Sequence, residues 1–295
     1  MLNRLSILIL GLLSVALAFP INSSAQKSSP DWLVPSVNSQ PVAEKDKKPS
    51  PRRSLVGMWG SRAGNQSKGV QLHPNDGKPE NQPPYTPYGL ELYKSHKALE
   101  GNDEVPPALN NDPRVRCEPL GLPRMNHYDL GVQIFQDEYK VAILYHYDNR
   151  WRFIWTDGRL LPKLLDGGVE AGGEYRDQRW MGFSVGKWLD DNTLEVKTVG
   201  TKPADRVWLD NTGRPISDQV LITETLRRLD YDTLEWSETL EDPKVFTRPW
   251  KMRMPLYRNV DKDKQIREYK CVEFVEELMY GRLGVIDPAT GQVNK

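Results

Sequence analysis

Residues 139–157 read YKVAILYHYDNRWRFIWTD, two runs of β-branched and aromatic residues that flank a polar break at 148–150. This arrangement is typical of a β-hairpin. A three-residue loop pairs odd positions with odd, which places Tyr147 opposite Trp151 and Tyr145 opposite Phe153. Both apolar faces then lie on one side of the sheet. We therefore expect this hairpin to build the core, and its aromatic face is a candidate for the wall of a pocket.

The first 25 residues have the features of an export signal. Arg4 supplies a positive charge, residues 5–19 are apolar, and Ser23 and Ala25 fit the small residues that precede a signal-peptidase cut. The sequence therefore predicts cleavage after Ala25 and a mature protein in the periplasm or outside the cell. The apolar run is short for a membrane span, and no later segment is apolar enough to cross a bilayer.

The charge balance excludes several classes of partner. Removal of residues 1–25 would leave 39 Lys plus Arg against 40 Asp plus Glu. Such near-neutrality provides no field for nucleic acid or an anionic membrane. A small apolar or aromatic ligand is the expected partner, and the composition does not indicate an oligomeric state.

The two cysteines, Cys117 and Cys271, are far apart in sequence. In an oxidising compartment they predict one disulfide that ties an early loop to the last strand. Closing so long a loop stabilises a fold by roughly 3–5 kcal/mol. The alternative is two buried free thiols. Neither cysteine has a neighbouring His, Lys or Asp pattern that would activate it for catalysis.

The rest of the chain divides into a short linker and one β domain. Residues 26–54 are rich in Pro, Ser and Lys and predict a disordered linker. Residues 55–283 predict a single barrel-like domain with a loop and helix insertion at 60–129, followed by a tail at 284–295. Short helices are expected at 88–98 and 275–283. Strands are expected at 55–59, 131–136, 139–147, 151–156, 180–188, 193–199, 219–228, 233–241, 250–257 and 265–274.

About ten strands in consecutive hairpins predict an antiparallel up-and-down meander. Such a meander most economically closes into a barrel, because closure removes both edges. A two-sheet β-sandwich is the alternative fold. Gly57 and Trp59 form a G-x-W at the start of the first strand, a pattern that lipocalin-like barrels carry with the Trp across the barrel floor.

Several short motifs in residues 83–274 resemble a family of uncharacterised exported bacterial proteins. The motifs are Y-D-N at 147–149, T-D-G-R at 156–159, S-V-G-x-W at 184–188, W-L-D at 208–210, E-D-P at 241–243 and E-Y-K-C at 268–271. The family has no established activity, so the resemblance implies no catalytic residues. The G-x-W start and the meander are similar to lipocalin-like (calycin) barrels, which is a resemblance of architecture.

Two carboxylates occupy positions on otherwise apolar strand faces. Glu224 shares a face with Val220, Ile222 and Leu226, and Glu238 shares one with Leu234, Trp236 and Leu240. If even positions pair with even, both acids approach each other inside the barrel. Buried carboxylates must be hydrogen-bonded, ion-paired or protonated. They are therefore candidates for an acid/base pair or a ligand anchor, against the alternatives of a register change or neutralisation by internal arginines.

Aromatic residues at every second position suggest a platform for a ligand. Aromatic rings line many small-molecule sites, but at this spacing they are more often ordinary core. Arg152 and Asp157, at the end of the opening hairpin, add polar groups, although Asp157-Gly158 is also a good turn. The candidate ligand-binding residues are Trp59, Tyr145, Arg152, Phe153, Trp155, Asp157, Trp188 and Trp236.

Other chemistries lack their motifs. The histidines at 73, 96, 127 and 146 show no zinc-ligand spacing, so no metal or cofactor is expected. Residues 182–186 match G-x-S-x-G, but the run lies within a strand pattern and not at a strand-to-helix turn. Three hypotheses remain open: a small-molecule-binding barrel, a hydrolase, isomerase or hydratase using Glu224 and Glu238, and a structural or partner-binding envelope protein.

Overall fold

The computed structural model describes residues 43–61, 78, 82–128, 131–163, 178–202, 204–259, 265–269, 271–272, 285–286 and 293–294. The predicted signal peptide (1–25), the linker up to residue 42 and the predicted helix at 275–283 lie outside the described residues. Of the linker, residues 43–54 are described and contact the barrel. Ser50 Oγ donates a hydrogen bond to Asn192 Oδ1 (2.6 Å), and the Tyr231 amide donates to the Lys48 carbonyl (2.8 Å).

The protein is mainly β, and nine strands close into a lipocalin-like barrel in the order of the chain. The strands are β1 (Gly57–Gly60), β2 (Val132–Gln136), β3 (Lys140–Tyr145), β4 (Trp151–Trp155), β5 (Phe183–Trp188), β6 (Thr193–Val199), β7 (Leu221–Arg228), β8 (Thr233–Glu241) and β9 (Trp250–Arg258). The short pieces Val285–Ile286 (β10) and Val293–Asn294 (β11) pair with each other.

The described residues between β1 and β2 include two α-helices, namely α1 (Pro87–Ser95) and the single turn α2 (Arg124–His127). Thr86 caps α1, because its side chain accepts a hydrogen bond from the Gly89 amide (3.0 Å) and Pro87 occupies the first turn. Single 3-10 turns occur at Glu44–Asp46, Pro107–Leu109, Pro113–Arg116 and Tyr147–Asn149. In the described part of the chain, no helix has the length and apolar character needed to cross a membrane.

One strand pair departs from the predicted antiparallel meander. All neighbouring strands of the barrel are antiparallel except β4 and β5, which are parallel and pair Ile154 with Ser184 and Trp155 with Val185. A closed ring with an odd number of strands cannot be antiparallel throughout. The count is nine because the predicted last strand, 265–274, has no strand structure at its described residues 265–269 and 271–272.

The opening hairpin forms, but its predicted register is wrong. Its loop has four residues, 146–149, and the Tyr145 amide donates to the Arg150 carbonyl (2.8 Å). Asp148 and Asn149 have positive φ, which lets the chain turn within that length. An even-numbered loop pairs odd positions with even, and the observed partners include Leu144 with Trp151 and Ala142 with Phe153.

The changed register reverses the faces of β4. Arg152 and Ile154 point into the barrel with Tyr145, at 1 %, 0 % and 1 % exposure, whereas Trp151 is 63 % exposed and Phe153 is 40 % exposed. The aromatic row of β4 is therefore on the outer surface and not in the core.

Trp59 is fully buried on β1, and the guanidinium groups of Arg228 and Arg258 lie 4.7 Å and 4.6 Å from its ring centroid. The Trp59 Nε1 donates to the Leu55 carbonyl (2.9 Å). Gly57 has a φ of +147°, and a Cβ there would lie 2.4 Å from an Arg258 nitrogen. The G-x-W motif needs its glycine chiefly for this positive φ, which residues with a Cβ rarely adopt, because the flexible Arg258 side chain could move aside.

Residues 120–128, called the plug segment below, enter the barrel interior. Residues 120–127 are all buried, and Leu120, Leu122 and Met125 belong to the core that the strands form. The predicted disulfide is confirmed, since Cys117 is bonded to Cys271. It joins the chain just before the plug segment to the chain that follows β9.

Candidate functional site

The centre of the barrel contains a buried cluster of charged and polar side chains. Strands β7 and β8 share eight paired positions, and the even-to-even register places Glu224 directly opposite Glu238. Their side chains point inward at 0 % and 2 % exposure. Carboxylates at such depth require hydrogen-bond donors.

Glu224 accepts hydrogen bonds from side chains on β4, β6, β8 and the plug segment, the one from β6 being a 3.4 Å contact of Thr198 Oγ1 with Oε2. Arg152, on β4, donates from Nη1 to Oε1 (2.9 Å) and from Nη2 to Oε2, which makes a bidentate ion pair. Trp236 Nε1 also donates to Oε1, at 3.0 Å. On the far side, Arg152 donates to Ser184 Oγ (3.0 Å) and Thr198 Oγ1 (2.8 Å), so β5 and β6 hold the guanidinium in place.

The plug segment provides the partners of Glu238. His127 Nε2 lies 2.8 Å from Glu238 Oε2, and Asn126 Nδ2 donates to Glu238 Oε1 at 2.6 Å. The same amide donates to Glu224 Oε1 at 2.9 Å, so Asn126 bridges the two carboxylates. Tyr145 donates its hydroxyl proton to Asn126 Oδ1 (2.6 Å) and fixes the orientation of that amide.

Burial and charge shift the acid strengths of three groups in the cluster. Burial lowers the pKa of His127, but the charge and hydrogen bond of Glu238 outweigh burial and hold that pKa above its usual value. Burial likewise lowers the pKa of Arg152, and the Glu224 carboxylate more than reverses this. Burial raises the pKa of Tyr145. The cluster therefore favours His127 as a cation beside Glu238 and keeps Tyr145 as a neutral donor.

A cavity of about 20 Å³ lies beside the cluster and is bordered by Trp59, Ser61, Asn126, His127 and Trp236, among others. A volume of this size accommodates about one water molecule. Within the described residues, His127 Nδ1 and Ser61 Oγ are buried without a hydrogen-bond partner. This cavity is too small for a ring-containing ligand.

A larger hollow lies on the outside of the barrel, where β4 meets the chain that leads into β5. It has a volume of about 300 Å³. We call it the side groove, and its lining residues are Arg150, Trp151, Arg152, Phe153, Trp155, Arg179, Trp180, Met181, Gly182, Phe183 and Ser184. Strand pairing explains its position, since β4 and β5 pair only at residues 154–155 and 184–185. The first half of β4 therefore has no paired strand on that side among the described residues.

The outer face of β4 differs from the outer faces of other strands. On β8 the alternate positions that point outward are Thr233, Glu235, Ser237, Thr239 and Glu241, and on β6 they include Glu195 and Lys197. On β4 they are Trp151, Phe153 and Trp155. The ring centroids of Trp151 and Phe153 are 5.2 Å apart, and those of Phe153 and Trp155 are 6.4 Å apart. Trp151 and Phe153 are exposed and Trp155 is half-buried, and such a row of aromatic rings beside a groove is unusual for a barrel surface and typical of a binding surface.

The predicted ligand-binding residues divide into three groups. Trp59, Tyr145, Arg152 and Trp236 are buried inside the barrel, while Phe153 and Trp155 line the side groove. Arg152 lines the groove as well, from beneath the strand. Asp157 lies in the turn after β4 and pairs with Arg159 (2.6 Å), and Trp188 is half-buried at the end of β5. The predicted set therefore does not form one site.

Several residues of both sites were not predicted. Asn126 and His127 belong to an irregular Pro-rich segment, and no periodic pattern indicates which of its side chains turn inward. Trp180 and Arg179 join Phe153 only because of the parallel β4–β5 pairing, which short-range patterns do not show. Ser184, within the G-x-S-x-G letters, is a buried strand residue that holds Arg152 and has no adjacent base.

No protein-family model, curated protein or solved structure matches the chain. The resemblance to exported bacterial proteins therefore stays a prediction, and the geometry of the sites carries the functional argument. Among the residues that the structure describes, no three His, Cys, Asp or Glu side chains are grouped so that they could hold a metal ion.

Proposed function

We propose that this protein is an exported β-barrel that binds a small planar apolar or aromatic molecule in the side groove. The single observation that supports this most strongly is the 300 Å³ groove whose wall carries the exposed rings of Trp151 and Phe153 and the half-buried ring of Trp155. That volume is within the range of small-molecule sites, which combine aromatic walls with a few polar groups. Stacking on such rings suits a planar ligand.

The position of the groove supports the same proposal. Its aromatic wall belongs to β4, which is hydrogen-bonded along its length to β3 and is held from inside by Arg152 and Ile154. Sites on rigid strands are already shaped before the ligand arrives, so less ordering entropy opposes binding. The sequence-based hypothesis placed the ligand inside the barrel, whereas the cavity beside the buried cluster has room for about one water molecule.

A screen of small planar aromatic compounds by saturation-transfer NMR tests the proposal. We expect a subset to bind the wild-type protein and to lose binding in Phe153→Ala, because Phe153 is the middle ring of the row. The matched control is Tyr88→Ala, which removes an aromatic ring that is 49 % exposed on α1, away from the groove. Equal binding in both variants, or no binding to the wild type, would contradict the proposal.

The interior cluster supports a structural function better than catalysis. Glu224 accepts from Arg152, Trp236 and Asn126, and Glu238 accepts from Asn126 and His127. An acid/base pair needs a substrate within hydrogen-bond reach, and the adjacent cavity has room for about one water molecule. We propose that the cluster joins β4, β7, β8 and the plug segment.

Export is part of the same proposal. The Cys117–Cys271 disulfide supports it, since such bonds persist in oxidising compartments. Mass spectrometry of the protein recovered from the periplasm or the medium of an expressing bacterium should give a chain that begins at Gln26. A full-length chain confined to the cytoplasm would contradict export without affecting the groove.

A further inference from the structure

The charges around the side groove indicate which ligands it prefers. Among the described residues, its lining includes Arg150, Arg152 and Arg179 and contains no aspartate or glutamate. Two further guanidinium groups stack on its rings, that of Arg159 at 3.6 Å from the Trp155 centroid and that of Arg206 at 5.0 Å from the Trp180 centroid. The groove is therefore aromatic and surrounded by cations.

Four of these five arginines already have a carboxylate partner. Arg150 pairs with Asp148 (2.6 Å), Arg159 with Asp157 (2.6 Å), Arg206 with Glu118 (2.5 Å), and Arg152 with Glu224. Arg179 is the exception. It is exposed, its guanidinium lies 5.9 Å from the Phe183 ring centroid, and within the described chain it has no carboxylate partner.

The backbone holds Arg179 at one end of the aromatic row. Its amide donates to the Gly200 carbonyl (2.9 Å), and the Gly182 amide donates back to the Arg179 carbonyl (3.1 Å), which forms a tight turn. Because β4 and β5 are parallel with Ile154 beside Ser184, this turn lies next to the first residues of β4. A ligand whose ring stacks along β4 can therefore reach the guanidinium with a terminal group.

We propose that the side groove selects a planar aromatic carboxylate, with the ring against Trp151 and Phe153 and the carboxylate paired with Arg179. A guanidinium presents a planar fork of N–H donors that matches both oxygens of a carboxylate. The partly apolar surroundings strengthen this pair relative to bulk water. This inference rests on the proposed binding function and adds the charge of the ligand and the residue that recognises it.

The decisive experiment compares naphthalene-2-carboxylate with naphthalene-2-carboxamide, a neutral compound of the same shape, by isothermal titration calorimetry. The wild type should bind the carboxylate at least roughly tenfold more tightly, as expected for a charge-assisted hydrogen bond. In Arg179→Gln the two affinities should become equal while the carboxamide affinity is unchanged. Arg248→Gln, which removes an exposed arginine outside the groove lining, should retain the preference.

The outcomes separate this inference from the function on which it rests. Equal affinities in the wild type would overturn the carboxylate preference and leave the binding function intact. A preference that persists in Arg179→Gln would overturn the assignment of Arg179. If neither compound bound the wild type, and the wider screen of planar compounds was also negative, the binding function would fail as well. Higher ionic strength should weaken carboxylate binding alone.

Discussion

At the scale of single residues, the buried cluster is balanced in charge only when His127 is protonated. Arg152 and a protonated His127 then face the carboxylates of Glu224 and Glu238, and each carboxylate has one cation within hydrogen-bond distance. Removing one member of such a set leaves an uncompensated charge at a site that water cannot solvate. The cluster should therefore respond strongly to single substitutions.

Glu224→Gln should lower the free energy of unfolding by about 3–5 kcal/mol, since it leaves the Arg152 guanidinium buried without its counter-charge. Urea denaturation followed by tryptophan fluorescence measures this change. The matched control is Glu235→Gln on β8, which breaks a partly exposed pair with Arg253 and should cost about 0–1 kcal/mol. Similar losses in the two variants would show that the cluster contributes no more than a surface ion pair.

The raised pKa of His127 makes stability depend on pH. A folded-state pKa above the unfolded value contributes stability that is complete below about pH 6.5 and is lost as pH rises through the folded-state pKa. The free energy of unfolding should therefore fall above about pH 6.5 in the wild type. His127→Gln keeps a donor near Glu238 but carries no charge, so it should lack this decrease.

The pH dependence due to His127 has to be separated from that of a second histidine, His96. The comparison with His127→Gln makes this separation. Burial lowers the pKa of His96, so its contribution has the opposite sign and is lost as pH falls below about 6.5. Subtracting the His127→Gln profile from the wild-type profile removes the His96 contribution. Identical slopes above about pH 6.5 in both proteins would contradict a charged His127 in the folded state.

At the scale of elements, the register of the β3–β4 hairpin decides which aromatic residues are available for binding. Ile154→Ala removes a side chain with 0 % exposure and should cost about 2–5 kcal/mol, because it leaves a cavity in the barrel. Trp151→Ala removes a larger side chain but should cost no more than about 1 kcal/mol, because Trp151 is mostly in solvent. Urea denaturation of both variants tests this. A Trp151→Ala loss equal to that of Ile154→Ala would favour the register with Trp151 in the core.

The two hairpins show what local patterns can predict. For β7 and β8, the Leu229 amide donates to the Thr233 carbonyl and leaves a three-residue loop, 230–232, so the even-to-even register follows and the carboxylates of Glu224 and Glu238 meet as the pattern indicates. For β3 and β4, the predicted register is wrong because the loop has four residues, 146–149, and not the three predicted, with Asp148 and Asn149 at positive φ. The odd positions of β4 are all aromatic, whereas the even positions include Arg152, so the hydrophobic contrast itself favours the wrong face.

At the scale of the whole molecule, the barrel and its strand order follow from the sequence of hairpins, but the plug segment and the parallel pair do not. Both depend on long connections that bring distant residues together: residues 61–131 before β2, and residues 156–182 before β5. The side groove lies at the end of one of these connections. The contacts of Asn126 and His127 with the two buried glutamates lie at the end of the other. Sequence periodicity predicts individual strands and helices. Contacts at the ends of long connections depend instead on where the closed barrel places its loops, which periodicity does not show.

The Cys117–Cys271 disulfide should stabilise the plug segment more than the strands. Its ends are 154 residues apart, so the bond removes much of the entropy of the unfolded chain and contributes roughly 3–5 kcal/mol. It also anchors the chain three residues before Leu120, whereas β7 and β8 are held by eight paired positions and by the cluster. Hydrogen exchange of the Cys117→Ser/Cys271→Ser variant should therefore increase most in residues 120–128. An increase in residues 120–128 no larger than that in β7 and β8 would show that the disulfide contributes no particular stability to the plug segment.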